Sequence, residues 1–138
     1  MGKNSEEAIA LLKHLISIES FSKTEDKTAD VIEEYLKGKG LTVQRLKNNI
    51  WTQNQFFDPK KPTILLNSHH DTVKPNAKYT KNPFDPIVEN GTLFGLGSND
   101  AGGPLVSLMQ CFLHFYDRED LNFNIGIVTG KQIGRAHV

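Results

Sequence analysis

Residues 63–71 read Thr-Ile-Leu-Leu-Asn-Ser-His-His-Asp, a short apolar run that passes directly into ionisable side chains. A nearly continuous apolar run of this length is typical of a strand buried on both faces of a sheet, so we expect a central strand here. A similar buried strand is predicted over Phe123–Val128. Segments with apolar residues at helical spacing precede and follow the first of these strands along the chain.

The remaining elements follow from periodicity and from turn residues. Amphipathic helices are predicted over about residues 5–18, with Ser5 as the N-cap, and over about 28–37 and 104–115. Shorter strands are predicted over Leu41–Leu46, Ile50–Gln53 and Thr92–Phe94, and a long surface loop over Lys74–Glu89. Alternating helices and buried strands predict an α/β fold, with a mostly parallel mixed sheet and helices on both faces.

Composition narrows the class of protein. Sixteen lysines and arginines balance sixteen aspartates and glutamates over 138 residues, which offers no broad basic field for nucleic acid. No apolar run approaches the roughly 20 residues that cross a bilayer, and the N-terminus lacks the pattern of a signal peptide. The single cysteine, Cys111, excludes an internal disulfide framework, and its helical neighbours predict a buried side chain. We therefore expect a cytoplasmic, single-domain chain with no nucleic-acid or membrane partner.

The first candidate site follows the strand at residue 68. In an extended backbone His69 and Asp71 project to the same side, whereas His70 faces the other way. A metal-binding imidazole normally donates its second ring N–H to a carboxylate, and Asp71 is placed to accept it. A surface turn with two solvated histidines is the alternative interpretation of the same spacing.

The second candidate is Asp100, within the glycine-rich turn Gly95–Gly103 that precedes the third helix. Its carboxylate could bind a cation or simply cap the helix. Because this turn and the His69 segment both follow short strands, one cleft could collect His69, Asp71 and Asp100. A phosphate-binding loop is the weaker alternative, since an aspartate stands where the last glycine of G-x-G-x-x-G belongs.

Two motifs carry a resemblance to a known family. The segment Ser68-His69-His70-Asp71-Thr72-Val73 resembles the H-x-D-x-V motif of the M20 metallopeptidase and deacylase family, and residues 93–103 resemble its second motif. The overall pattern is most similar to the acetylornithine deacetylase-like branch. The resemblance implies that residues 1–131 are the N-terminal portion of a zinc-peptidase-like catalytic domain.

The resemblance also implies roles for individual residues. His69 is similar to the histidine ligand of one zinc ion, Asp71 to the catalytic carboxylate that orients this imidazole, and Asp100 to the aspartate that bridges two metal ions. It implies two Zn²⁺ per site, with Co²⁺ or Mn²⁺ as alternatives, and a cis peptide after Asp100. The family's D-x-K-G pattern has a lysine where this chain has Gly102.

The activity implied is that of a cytoplasmic, metal-dependent amidohydrolase that hydrolyses a small N-acyl amino acid through a metal-bound hydroxide, as a homodimer when intact. A dipeptidase or carboxypeptidase of the same family is one alternative. A non-catalytic binding domain that keeps the fold is another, and a nucleotide-binding α/β domain is the third.

The end of the chain departs from the family pattern. A glutamate pair that supplies the general base is expected after the strand near residues 124–130, yet the sequence continues with Lys131-Gln132. The last six residues translate a nucleotide sequence resembling a common sequencing adapter, so we interpret 132–138 as a non-native tail. With the base and the remaining ligands missing, the 138-residue chain is expected to be inactive by itself.

Overall fold

The structure is a computed structural model that describes residues 2–130. The boundary predicted at residue 131 and the tail predicted over 132–138 lie outside the described residues. Within residues 2–130, no helix is both long enough and apolar enough to cross a membrane.

Among the described residues, three α-helices form where the apolar spacing predicts them. They are α1 (Lys3–Ile16), α2 (Asp26–Gly38) and α3 (Gly103–Phe115). The predicted N-cap of α1 is wrong: the helix begins two residues earlier, and the backbone N–H of Ser5 donates to the carbonyl of Gly2 at 3.0 Å. Ser5 is therefore already inside the first turn.

Six strands in the described part of the chain form two sheets. They are β1 (Gln44–Leu46), β2 (Asn49–Gln53), β3 (Thr63–Ser68), β4 (Ile87–Glu89), β5 (Thr92–Phe94) and β6 (Asn124–Thr129). The larger sheet has the order β1-β2-β6-β3, and β4 and β5 form a separate antiparallel hairpin. β1 and β2, which correspond to the strands predicted over Leu41–Leu46 and Ile50–Gln53, pair antiparallel. β4 lies at the end of the segment predicted as a loop.

The mixed α/β class is confirmed, but the arrangement of the sheet differs from the prediction in two ways. Among the strands of the larger sheet within residues 2–130, only the β3–β6 pair is parallel, whereas β2 pairs antiparallel with both β1 and β6. The central strand is β6, not β3: β3 is at the edge of the described sheet, with Ile64 48% and Leu65 52% exposed. Apolar composition alone does not distinguish an edge strand from a central one.

The hydrophobic core lies between the three helices and one face of the larger sheet. Ile125 and Ile127 point into it from β6, together with Ile50 from β2. The helices contribute fully buried side chains such as Ile32, Leu105 and Phe112. This core holds the carboxyl ends of β3 and β6 rigidly beside one another, because Ser68 pairs with Thr129.

The opposite face of the sheet is open within residues 2–130. Trp51 lies on this face with 40% of its surface exposed, and Leu46 is 63% exposed on the neighbouring strand. Leu65 alternates with Leu66, which packs against the core, and so belongs to the same open face. The helices of the described chain thus pack on one face, not on both as predicted.

A tight turn links β5 to α3 and carries Asp100. Gly97 adopts φ +81°, in the left-handed region, and a Cβ placed on it would lie 2.7 Å from Cγ2 of Thr72. One irregular helical turn, Ser98–Gly102, follows, and the backbone N–H of Gly102 donates to the carbonyl of Gly97 at 2.7 Å. The glycine at position 97 is thus required by conformation as well as by space.

Gly97→Ala is expected to lower the free energy of unfolding by about 1–2 kcal/mol, because an L side chain is strained at positive φ. Gly38→Ala is the matched control: Gly38 ends α2 at negative φ with open space around its Cα, so alanine there should be neutral or slightly stabilising. Urea unfolding of both variants measures the difference. Equal stabilities for the two would contradict the role assigned to Gly97.

One buried residue predicted on α3 is exposed. Cys111 faces solvent, whereas the buried side of α3 is formed by Leu105, Val106, Met109 and Phe112. Cys111 immediately precedes Phe112 in sequence, but a step of one residue rotates the side chain about 100° around the helix. The prediction of burial is therefore wrong.

Candidate metal site

His69 and Asp71 lie together at the carboxyl end of β3. The His69 ring is 13% exposed, and its Nδ1 lies 3.1 Å from Oδ1 of Asp71 and 2.9 Å from the Asp71 carbonyl oxygen. Both oxygens accept hydrogen bonds, so they favour a proton on Nδ1. With Nδ1 protonated, the neutral ring presents the Nε2 lone pair on its other side.

Asp100 reaches the same place from the turn after β5. Its carboxylate is 89% exposed, and its Oδ1 lies 2.8 Å from Nε2 of His69. The Asp100–Ala101 peptide is cis, as the resemblance implied. Two segments 31 residues apart therefore bring an imidazole nitrogen and a carboxylate oxygen together.

These two donors fit a borderline cation such as zinc. Histidine nitrogen and carboxylate oxygen bind Zn²⁺ at about 2.0–2.2 Å, and the carboxylate of Asp71 behind the ring is the usual partner of a metal-bound histidine. A catalytic zinc normally takes three protein ligands, and no group of three metal-binding side chains occurs among residues 2–130. The described chain thus offers two candidate donors, His69 and Asp100.

His70 faces away from this site, as expected, and it is buried with 6% of its surface exposed. Its Nε2 donates to the carbonyl of Asn48 at 3.0 Å, and its Nδ1 lies 2.8 Å from the hydroxyl of Thr28. In the neutral ring, Nδ1 accepts from that hydroxyl. His70 therefore ties α2 and the β1–β2 turn to the segment that carries His69. Burial lowers the pKa of His70 below its ordinary value.

Acidification is expected to destabilise the chain through His70. Because the folded-state pKa lies below the unfolded value of 6.5, the unfolded state takes up a proton first as the pH falls. Neutral His70 makes its full contribution to the free energy of unfolding above pH 6.5. As the pH falls below 6.5, this contribution decreases by up to about 1.4 kcal/mol per pH unit until the folded-state pKa is reached. His70→Gln should flatten this slope between pH 7 and 5.5, and His14→Gln, on the exposed side of α1, should not. Identical slopes in all three proteins would contradict the assignment.

Three polar partners of the motif were not predicted from the sequence. Thr28 and Asn48 hold His70, and the hydroxyl of Ser22 donates to Oδ2 of Asp71. Ser22 is 49 residues from Asp71, in a polar loop that has no motif of its own. No local signal pointed to this contact, which depends on the tertiary path of the loop.

An open cavity of about 420 Å³ lies over the site. Its lining includes His69, Asp71 and Asp100, together with Tyr79 and the turn at residues 95–99. This volume falls within the range of small-molecule sites. The exposed carboxylate of Asp100 therefore faces a space large enough for an amino-acid-sized ligand.

The sequence is similar to a known protein family and to individual members of known function. Residues 65–130 match the model of peptidase family M20/M25/M40. The succinyl-diaminopimelate desuccinylase of Buchnera aphidicola is 30% identical over 137 residues, which cover 94% of this chain and 35% of that protein.

Solved structures show the same fold. An M20 family metallo-carboxypeptidase from Sulfolobus solfataricus superposes with a TM-score of 0.72 at 22% identity, over 94% of this chain and 31% of that one. Human carnosine dipeptidase 1 superposes with a TM-score of 0.73 at 21% identity, over 91% of this chain and 32% of that one. The chain spans about a third of the length of the proteins that it matches.

Proposed function

We propose that this chain belongs to the peptidase M20/M25/M40 family, whose model matches residues 65–130, and that it supplies part of the metal centre of an amidohydrolase. The observation that carries the proposal is the 2.8 Å approach of His69 Nε2 to Asp100 Oδ1, with the Asp71 carboxylate behind the imidazole. In this proposal His69 and Asp100 are metal ligands and Asp71 orients His69. The metal proposed is Zn²⁺, with Co²⁺ or Mn²⁺ as alternatives.

The residues of this chain contribute binding and orientation. Asp71 accepts a hydrogen bond from Nδ1–H of His69, which directs the Nε2 lone pair towards Asp100. The turn that contains Gly97 presents the exposed Asp100 carboxylate to the cavity, where a cation can reach it. A bound divalent cation would polarise the carbonyl of an amide and activate a water molecule.

The proposed substrate is a small N-acyl amino acid. The desuccinylase relative supports this class, and the cavity of about 420 Å³ is of suitable size. The particular substrate that we propose is N-acetylornithine, because the sequence pattern is most similar to the acetylornithine deacetylase-like branch. Hydrolysis of a dipeptide or of a C-terminal residue is the second candidate, because a carboxypeptidase and a dipeptidase share the fold.

The 138-residue chain contains two of the proposed metal ligands, His69 and Asp100, and this number limits what the chain can do by itself. With two donors among the described residues, it is expected to bind Zn²⁺ weakly and not to form a complete catalytic centre. β6 runs parallel to β3 and ends at Thr129 beside Ser68, so a chain that continues past it emerges close to His69. We propose that the remaining ligands and the general base belong to a longer reading frame, since no group of three metal-binding side chains occurs among residues 2–130.

The test is an assay of the longer reading frame, recovered from the source DNA without library adapters, beside the 138-residue chain. N-acetylornithine, an N-succinyl amino acid and a dipeptide are supplied with Zn²⁺, with and without a chelator. We expect chelator-sensitive hydrolysis by the longer protein and none by the short chain. If the longer protein is inert towards all three and binds no metal, the non-catalytic binding domain is the correct alternative.

A further inference from the structure

The loop that follows α1 is fastened to the metal-site segment by backbone hydrogen bonds. The N–H of Thr72 donates to the carbonyl of Ser20 at 2.7 Å, and the N–H of Ser22 donates to the carbonyl of Thr72 at 3.2 Å. Phe21 and Thr72 form a parallel bridge between these bonds. The position of Ser22 is therefore fixed relative to the residue that follows Asp71.

The Ser22 side chain uses this fixed position to hold the Asp71 carboxylate. Its hydroxyl donates to Oδ2 of Asp71, while Oδ1 of the same carboxylate lies 3.1 Å from Nδ1 of His69. The hydrogen bond to Oδ2 restricts rotation of the Asp71 carboxylate, so Oδ1 keeps its orientation towards His69. The side-chain contacts thus run in series from Ser22 to Asp71, then to His69 and finally to Asp100.

We propose that Ser22 is a positioning residue of the metal site, which acts by orienting the Asp71 carboxylate towards His69. The inference rests on the proposed function and deepens it, since it adds a residue that neither motif contains. Ser22 acts through Asp71 and His69 and is not itself a metal ligand. Replacing the outer hydrogen-bond partners of metal-binding histidines typically costs 10–100-fold in metal affinity.

The loop offers a matched control. Thr24 is two residues from Ser22, but its hydroxyl donates to the carbonyl of Phe21 at 3.0 Å, within the loop itself. Ser22→Ala removes the hydroxyl that contacts Asp71, Ser22→Thr keeps a hydroxyl, and Thr24→Ala perturbs the loop without touching Asp71. Because residues 22 and 24 are both exposed, all three variants are expected to fold.

The experiment measures two properties of the 138-residue chain labelled with ¹⁵N-histidine. The first, without metal, is the proton resonance on Nδ1 of His69, which a hydrogen bond to a carboxylate shifts downfield. The second is the apparent Kd for Zn²⁺, followed by the ring shifts of His69. In Ser22→Ala we expect the resonance to move upfield or to broaden, and the Kd to rise about 10–100-fold. Ser22→Thr should restore both, and Thr24→Ala should leave both unchanged.

The outcomes separate this inference from the proposed function. An unchanged Nδ1 resonance in Ser22→Ala, or an equal effect of Thr24→Ala, overturns the positioning role of Ser22 while zinc binding by the unaltered chain stands. If the resonance changes as expected but no form of the chain binds Zn²⁺, the metal site fails and the orientation of Asp71 by Ser22 stands.

Discussion

Zinc binding by this chain is expected to fall to background when His69 is replaced by alanine. His69 provides the only nitrogen donor beside Asp100 in the described site, and its Nε2 lies 2.8 Å from the Asp100 carboxylate. Since loss of an outer partner alone costs about 10–100-fold in affinity, loss of the ligand itself should cost more. Zn²⁺ titration followed by isothermal calorimetry or by NMR measures the effect.

The control for His69→Ala is His114→Ala. His114 is exposed on α3, contacts the ring of Phe115 and is not among the residues that line the cavity over the candidate site. Its replacement removes a histidine without removing a donor from the site, so zinc affinity should stay within error of the unaltered chain. Equal binding by the unaltered chain and by His69→Ala would show that His69 is a structural residue and would favour the binding-domain alternative.

Phe112→Ala is expected to lower the free energy of unfolding by about 3–5 kcal/mol, the range found for buried phenylalanines. Phe112 is fully buried on α3, in the core shared with α1, α2 and the sheet, and its ring lies 5.9 Å from that of Tyr116. Such a loss is a large part of the 5–15 kcal/mol that stabilises a typical domain. Thermal or urea unfolding should therefore show a chain that is partly unfolded at 37 °C.

The neighbouring residue supplies the comparison for Phe112. Cys111→Ala changes an exposed side chain on the same helix turn, and it should alter stability by no more than about 0.5 kcal/mol. A comparable loss in both variants would mean that α3 packs with a different face towards the sheet.

Local patterns predicted the helices and most strands, because apolar spacing depends on neighbouring residues alone. The pairing of β6 between β2 and β3 could not be predicted in this way. Thr63–Ser68 is apolar enough for a central strand, yet the order of strands depends on contacts between segments about 60 residues apart. The parallel content was overestimated for the same reason.

In the candidate site, too, some features could be predicted from the sequence and others could not. His69, Asp71 and Asp100 follow strand ends, and topology brings strand ends together, so their approach could be predicted. The contacts of Ser22 with Asp71 and of Thr28 with His70 depend on loop and helix placement, and serine and threonine are too common for their positions to signal a site. Residue type identified the candidate metal ligands but not the side chains that orient them.

Trp51, on the open face of the sheet, is an intrinsic fluorescence probe of that face. Trp51 is the single tryptophan of the sequence, and it lies on that face beside Val128 with 40% of its surface in contact with solvent. Indole emission shifts to shorter wavelength when water leaves its surroundings. Any segment or molecule that covers this face would therefore change the fluorescence of one residue, with no label added and with the candidate metal site undisturbed.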